Sequence, residues 1–259
     1  MADQTRWTEI EHLPEWDEEF YHIYTAKKFG KWVMIKTLRP EYRDNPEYQS
    51  LIEREFDVRY NLAHPNIVMI NDFEEIPGIG RCIVTDDVYG DSLRKLINEK
   101  RVTMAHISQM RHQLVNAMEY IQTNHIVHPQ LKPENIIFTE NIGNLKLIDV
   151  GFEQRPSLSR RQLSDDIYNY GVVLGEALDA VGSTDPILRR VVRRCTDPNP
   201  AHRFRDLEQL HLALEGRSQK RFYIMVAVVL FVMFLLVAWL LSPLRPAPAV
   251  SGTGFIGLF

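Results

Sequence analysis

Residues 126–135 read IVHPQLKPEN, and residues 145–151 read LKLIDVG. Each stretch combines apolar residues, Ile126-Val127 in the first and Leu145, Leu147 and Ile148 in the second, with groups able to do chemistry. The first carries Gln130, Lys132 and Asn135, and the second carries Asp149. Together they read as a loop with two short strands spanning 125–149.

Upstream of this loop the pattern is strand-rich. Phe20, His22 and Tyr24 alternate, Trp32–Ile35 is a short apolar run, and Phe29-Gly30 supplies the turn between them. The run ends as Val33-Met34-Ile35-Lys36. Residues 46–63 read as a helix carrying Glu55, and His64-Pro65-Asn66 stops it. Two more strands are expected at 67–72 and 81–85, around the turn Pro77-Gly78-Ile79-Gly80. Downstream the chain is helical. Helices are expected at 92–100, 104–124, 165–180, 185–195 and 205–214. In the second of these, Ile107, Met110, Leu114, Met118 and Ile121 recur at helical spacing. The last motifs are Asp166-Ile167-Tyr168-Asn169-Tyr170-Gly171 and Asp197-Pro198-Asn199-Pro200-Ala201-His202-Arg203-Phe204.

This ordered series resembles the protein kinase family, in particular membrane-anchored bacterial kinases of the Ser/Thr type, over roughly residues 16–215. The resemblance implies an α+β fold of two lobes, a small β-rich N-lobe and a helical C-lobe. It gives each position a role. Lys36 matches the strand lysine that holds nucleotide phosphates, and Glu55 its helix partner. Thr85, Asp86, Asp87 and Val88 fall at the adenine hinge, with Asp86 and Val88 as nucleotide contacts. Lys132 matches the catalytic-loop lysine. Asn135 and Asp149 match the metal ligands, so ATP and Mg²⁺ are the conditional cofactors of the chain.

The departures from the family are specific. Gln130 stands where the catalytic Asp belongs, and a neutral amide hydrogen-bonds but cannot act as a carboxylate base. The glycine-rich phosphate loop aligns with residues 16–23, where Trp16, Glu18 and Tyr21 occupy the glycine positions. Bulky side chains there block close approach of backbone N–H groups to phosphate. Asp17, Glu18 and Glu19 add negative charge, which argues against tight ATP binding. Only residues 152–165 separate Gly151 from Asp166, and no Ala-Pro-Glu closes that segment, so Arg203 lacks its usual partner. Pro129 replaces the arginine that reads activation-loop phosphate, although Ser157, Ser159 and Ser164 remain as candidate phosphosites. Val150 replaces the Phe of the metal motif, and Arg59 stands at an apolar position of the internal spine.

Composition bounds the rest. The chain has 259 residues, a net charge of -4 and two cysteines. These numbers give no support to nucleic-acid binding, a disulfide framework or a four-ligand zinc site. Nine histidines are scattered without metal-ligand spacing. Residues 222–241 form an uncharged apolar run. As a helix it would be about 30 Å long, which matches a bilayer core. Arg217, Lys220 and Arg221 precede it, so the positive-inside rule puts the N-terminal part in the cytoplasm.

The expected organisation is therefore an arm at 1–15 and a kinase-like domain at 16–216, with its N-lobe at about 16–88 and its C-lobe at about 89–216. A basic juxtamembrane segment at 217–221, a transmembrane helix at 222–241 and a short extracytoplasmic tail at 242–259 follow. The expected location is the plasma or inner membrane, single-pass, with the domain cytoplasmic. The leading functional expectation is a pseudokinase scaffold or signalling adaptor with cytoplasmic or membrane protein partners. The alternatives are an atypical active Ser/Thr kinase using ATP and a nucleotide-binding switch without catalysis.

Overall fold

The computed structural model describes residues 6–140, 143–216 and 219–241. Two compact units, Met1–Gly216 and Arg217–Phe259, divide the chain. The first unit begins with strands β1 (Trp7–His12), β2 (Tyr21–Lys28) and β3 (Lys31–Leu38), then helix α1 (Pro46–Arg59) and strands β4 (Ile70–Ile76) and β5 (Gly80–Asp86). These strands make one antiparallel sheet in the order β1-β2-β3-β5-β4. The β2–β3 turn sits at Phe29 and Gly30, both at positive φ (51° and 81°), and there glycine carries no steric cost. Alternation sets the faces: Val33, Ile35 and Ala26 are buried between more exposed neighbours. Asn45 caps α1 by accepting from the Glu47 N–H at 2.9 Å, with Pro46 pre-set for the first turn.

Residues 7–12, expected as part of a flexible arm, form the edge strand β1. Its pairing with β2, Trp7 opposite Lys28 and His12 opposite Tyr24, supplies the order that a polar composition hides.

The helical half follows: β6 (Gly90–Ser92), α2 (Leu93–Asn98), α3 (Met104–Gln109), α4 (Val115–Thr123), β7 (Ile126–Val127), β8 (Ile136–Thr139), β9 (Leu145–Leu147) and β10 (Glu153–Gln154). Then come α5 (Arg160–Ala180), α6 (Pro186–Cys195) and α7 (Leu207–Leu214). Helices α3 and α4 are one run joined by a wide turn at Met110–Leu114. The apolar positions of that run, Ile107, Met110, Leu114 and Ile121, are fully buried in the main core with Tyr170 and Leu174 of α5. Strands β6, β8 and β9 form a small sheet that carries the loop 128–135, and β7 pairs with β10. Contacts between the halves run through residues 66–68: Val68 donates to the Leu147 carbonyl at 3.0 Å, and Asn66 Nδ2 to that of Leu145 at 2.9 Å.

The second unit contains helix α8 (Gln219–Leu241). It corrects the expectation of a transmembrane helix at 222–241, and with it the membrane as partner and the single-pass membrane location. Among the described residues no helix is long and apolar enough to cross a membrane. The extracytoplasmic tail expected at 242–259 lies outside the described residues, as do the side chains of the basic segment 217–221.

Candidate functional site

Lys36 lies on β3 with its side chain toward α1. Glu55 and Arg59 project from one face of α1, a turn apart. The Lys36 ammonium is 3.2 Å from Glu55 Oε1 and 3.1 Å from Oε2. Arg59 Nη1 donates to Glu55 Oε1, and Arg59 Nη2 donates to the Ile148 carbonyl at 3.1 Å. Burial by itself would push the Glu55 carboxyl up, but the Lys36 and Arg59 charges outweigh it and hold it below its ordinary value. Burial likewise works against a charged Lys36, and Glu55 with Glu18 reverses it, so the ammonium is held above its usual range. Arg59 thus acts as a brace in place of an apolar spine residue, tying α1 to the backbone just before Asp149.

The loop that precedes β2 folds onto this triad. Glu18 Oε2 lies 2.8 Å from Lys36 Nζ, the shortest ion pair that ammonium makes. The Tyr21 ring covers the same ammonium, with its centroid 4.3 Å from Nζ. Burial pushes the Tyr21 phenol up to about 12. The loop is pinned by a tight turn, Glu18 N–H to the Tyr21 carbonyl at 3.1 Å, and by Arg39 donating to the Glu18 carbonyl at 2.9 Å. Trp16 packs against the buried cluster of Val68, Val88 and Ile137, together with Ile148.

On the opposite wall, Asn135 Nδ2 is 3.4 Å from Asp149 Oδ2, and the Gly151 N–H donates to Asp149 Oδ1 at 3.1 Å. The Ile148 N–H donates to the Asn135 carbonyl at 3.0 Å, which fixes the two motif segments against each other. His128 is half-buried, and its Nδ1 contacts the Pro129 carbonyl. Burial holds the imidazole below its ordinary pKa, in the neutral form. A cleft of about 1290 Å³ runs between the walls, and Lys36, Val88, Lys132, Asn135 and Asp149 line it. Glu55 stands behind Lys36 rather than at the surface of the cleft. Gln130 is exposed and is not among the lining residues. Asp86 points elsewhere: its carboxylate takes Lys31 Nζ at 2.8 Å and Asn71 Nδ2 at 2.9 Å.

The short segment 152–165 is converted into the start of a helix. Ser159 caps α5, its Oγ accepting from the Gln162 N–H at 3.3 Å while Gln162 Oε1 takes the Ser159 N–H at 2.9 Å. Arg203 finds a substitute partner in the second turn of α5, donating to the Ser164 carbonyl at 3.2 Å and Oγ at 3.3 Å, and stacking on Tyr168 at 4.6 Å. Ser159 and Ser164, read as candidate phosphosites, are thereby engaged in helix-capping and arginine contacts.

These residues divide sharply in how they suit ATP and Mg²⁺. Asn135 and Asp149 offer the hard oxygen donors that Mg²⁺ takes. The phosphate end does not fit. A carboxylate already neutralises Lys36, and Glu18 and Tyr21 fill space that a glycine loop would leave to phosphate oxygens. Sequence reasoning noted the charge and bulk at these positions. It missed that Glu18 reaches Lys36 and that Trp16 seats beside Val88, because both contacts depend on how the loop folds back.

A family model described as the protein kinase domain matches residues 20–176. A probable serine/threonine-protein kinase of Streptomyces coelicolor is 33% identical over 137 residues, covering 51% of this chain and 20% of that protein. The serine/threonine-protein kinase PknD of Mycobacterium tuberculosis is 30% identical over 154 residues, covering 57% of this chain and 23% of that protein. The chain thus spans about a fifth of the length of these relatives. The crystal structure of the Mycobacterium tuberculosis PknI kinase domain superposes with a TM-score of 0.61 at 18% identity, covering 84% of this chain and all of that one.

Proposed function

This chain belongs to the protein kinase family, and from that premise we propose that it is a pseudokinase: a two-lobed kinase fold that presents its surface to protein partners and does not transfer phosphate. The observation that carries this reading is Glu18 Oε2 at 2.8 Å from Lys36 Nζ. The chain's own carboxylate takes the position in which a phosphate oxygen would be neutralised. Three further features support it. Gln130 offers no carboxylate to orient an attacking hydroxyl. Trp16 packs against the cluster of Val68, Val88 and Ile137, beside the segment where adenine would lie. Helix α5 begins at Arg160, which leaves no extended platform for a peptide substrate. Asn135 and Asp149 remain as a paired amide and carboxylate that close the cleft from the other lobe.

The test is nucleotide binding and turnover by the purified full chain with Mg²⁺ or Mn²⁺. The expected result is no thermal shift at millimolar ATP and no labelled product. A ligand present at 100 times its dissociation constant would add about 2.7 kcal/mol of stability, a shift easily read. A shift without turnover overturns the blocked site in favour of a nucleotide-dependent switch. Turnover that disappears in Lys36→Ala and Asp149→Ala variants overturns the pseudokinase reading itself.

A further inference from the structure

His12, Asp17 and His22 converge at the root of the same loop, away from the Lys36 cluster. His12 ends β1 opposite Tyr24, and His22 lies two residues before Tyr24 on β2, so both imidazoles stand on one face of the sheet. Asp17 follows the short turn Pro14–Trp16, and its carboxylate is aimed back between them. His12 Nε2 is 3.0 Å from Asp17 Oδ1 and 3.1 Å from Oδ2, and His22 Nδ1 is 2.8 Å from Oδ2. The Ile23 N–H donates to Oδ1 at 3.0 Å and fixes the plane of the carboxylate. The imidazole centroids are 4.6 Å apart, and the Tyr24 ring lies 4.9 Å from that of His12. The three candidate ligand atoms all lie within 4.8 Å of one another.

We propose that His12 Nε2, an Asp17 carboxylate oxygen and His22 Nδ1 bind one divalent transition-metal cation of the Zn²⁺ class, with a fourth position left to water. Two nitrogens and one oxygen suit a borderline cation, whereas Mg²⁺ and Ca²⁺ select all-oxygen sets. In a tetrahedral site with bonds of about 2.0–2.1 Å, ligand atoms stand roughly 3.3 Å apart. The contacts of Asp17 Oδ2 with His12 Nε2 (3.1 Å) and His22 Nδ1 (2.8 Å) need to open slightly, and the two ring nitrogens, which lie within 4.8 Å of each other, need to draw together on the cation. Each histidine turns an N–H toward the carboxylate when the site holds no cation. A bound cation takes the lone pair of that nitrogen, which leaves the N–H on the other ring nitrogen, Nδ1 of His12 and Nε2 of His22. The Ile23 N–H continues to orient the carboxylate, as outer partners of metal ligands do. Asp17 immediately precedes Glu18, so a cation held there would clamp the arm that lies on Lys36. The metal site itself stands whether or not the chain transfers phosphate.

The experiment uses the full chain, titrated with Zn²⁺ against a chromophoric chelator and separately loaded with Co²⁺. Expected are one Zn²⁺ per chain and affinity falling at least tenfold in His12→Gln and in His22→Gln, with His64→Gln unchanged. The Co²⁺ form should show the intense visible bands of four- or five-coordination, and Co²⁺ should broaden the imidazole resonances of His12 and His22 in the unmutated protein. That last reading keeps the test decisive if a variant fails to fold. No stoichiometric Zn²⁺ binding, equal competition by Mg²⁺, broadening confined to other histidines, or affinity unchanged in both variants would each overturn the proposal.

Discussion

Two carboxylates, Glu55 and Glu18, share the ammonium of Lys36, and they differ in what their loss does. Glu55 is buried and also partners Arg59, so it belongs to the framework. Glu18 is half exposed, and its ion pair is screened by water. Glu18→Ala should therefore cost little stability while freeing Lys36 for phosphate. A gain in Mg-ATP affinity of about fivefold, on the order of 1 kcal/mol, is the expected outcome of a fluorescent-nucleotide titration; no gain would mean that Tyr21 or Trp16 is the dominant obstacle. Asp166 poses a different residue-scale question. Burial pushes its carboxyl from 3.8 up to about 6, although Gln122 Nε2 donates to it at 2.8 Å. The folded state thus holds this proton more tightly than the unfolded chain does. The resulting stabilisation is fully present below about pH 3.8 and is lost as pH rises through about 6. Asp166→Asn keeps an acceptor for Gln122 and removes the ionisation. Urea denaturation from pH 4 to pH 7 should then show a decline smaller than that of the unmutated protein by on the order of 2 kcal/mol. Gln130, Lys36 and Asp149 were legible as individual letters because the family frame assigns each a position. The neighbours that set their charge state were not, since those come from other elements.

At the scale of elements, the turn after β9 joins the two motif segments. Gly151 has φ of 76°, and a Cβ there would stand 2.6 Å from the Val127 carbonyl oxygen and 2.8 Å from Pro129 Cδ. Val127 in turn pairs with Glu153 across β7 and β10. Gly151→Ala must therefore strain its own backbone and push the loop 128–130 away from β10. A loss of about 1–3 kcal/mol is expected in equilibrium denaturation, and a neutral result would show that the loop yields freely. Element identity followed well from periodicity: α1, α6 and the α3–α4 run lie where apolar spacing put them. The misses have definite causes. Strand β1 is polar in four of its six positions because it is an edge with one solvated face. Helix α5 starts five residues before the expected 165, at Arg160, because Ser159 and Gln162 form a capping box there.

At the scale of the whole molecule, the two lobes of the first unit are tied by the Asn66–Val68 backbone and by Arg59 reaching the Ile148 carbonyl. Each lobe also carries one fully buried thiol, Cys82 in β5 and Cys195 in α6, both pushed up to about 12 by burial. Neither thiol should react with an aromatic disulfide reagent in the folded protein. In rising urea both should become reactive over one shared transition; earlier labelling of Cys82 would show that the β-rich lobe opens separately. By itself the sequence determined the order of motifs, the lobe plan and the presence of an amide, Gln130, in the loop 128–135, because these are properties of residue type and local spacing. Tertiary structure decided the rest. Whether Glu18 meets Lys36, whether Trp16 seats beside Val88, which partner Arg203 takes and whether His12, Asp17 and His22 converge all depend on strand register and on a loop folding back across β2. Distances between side chains remote along the chain are set by packing, and no local pattern encodes them.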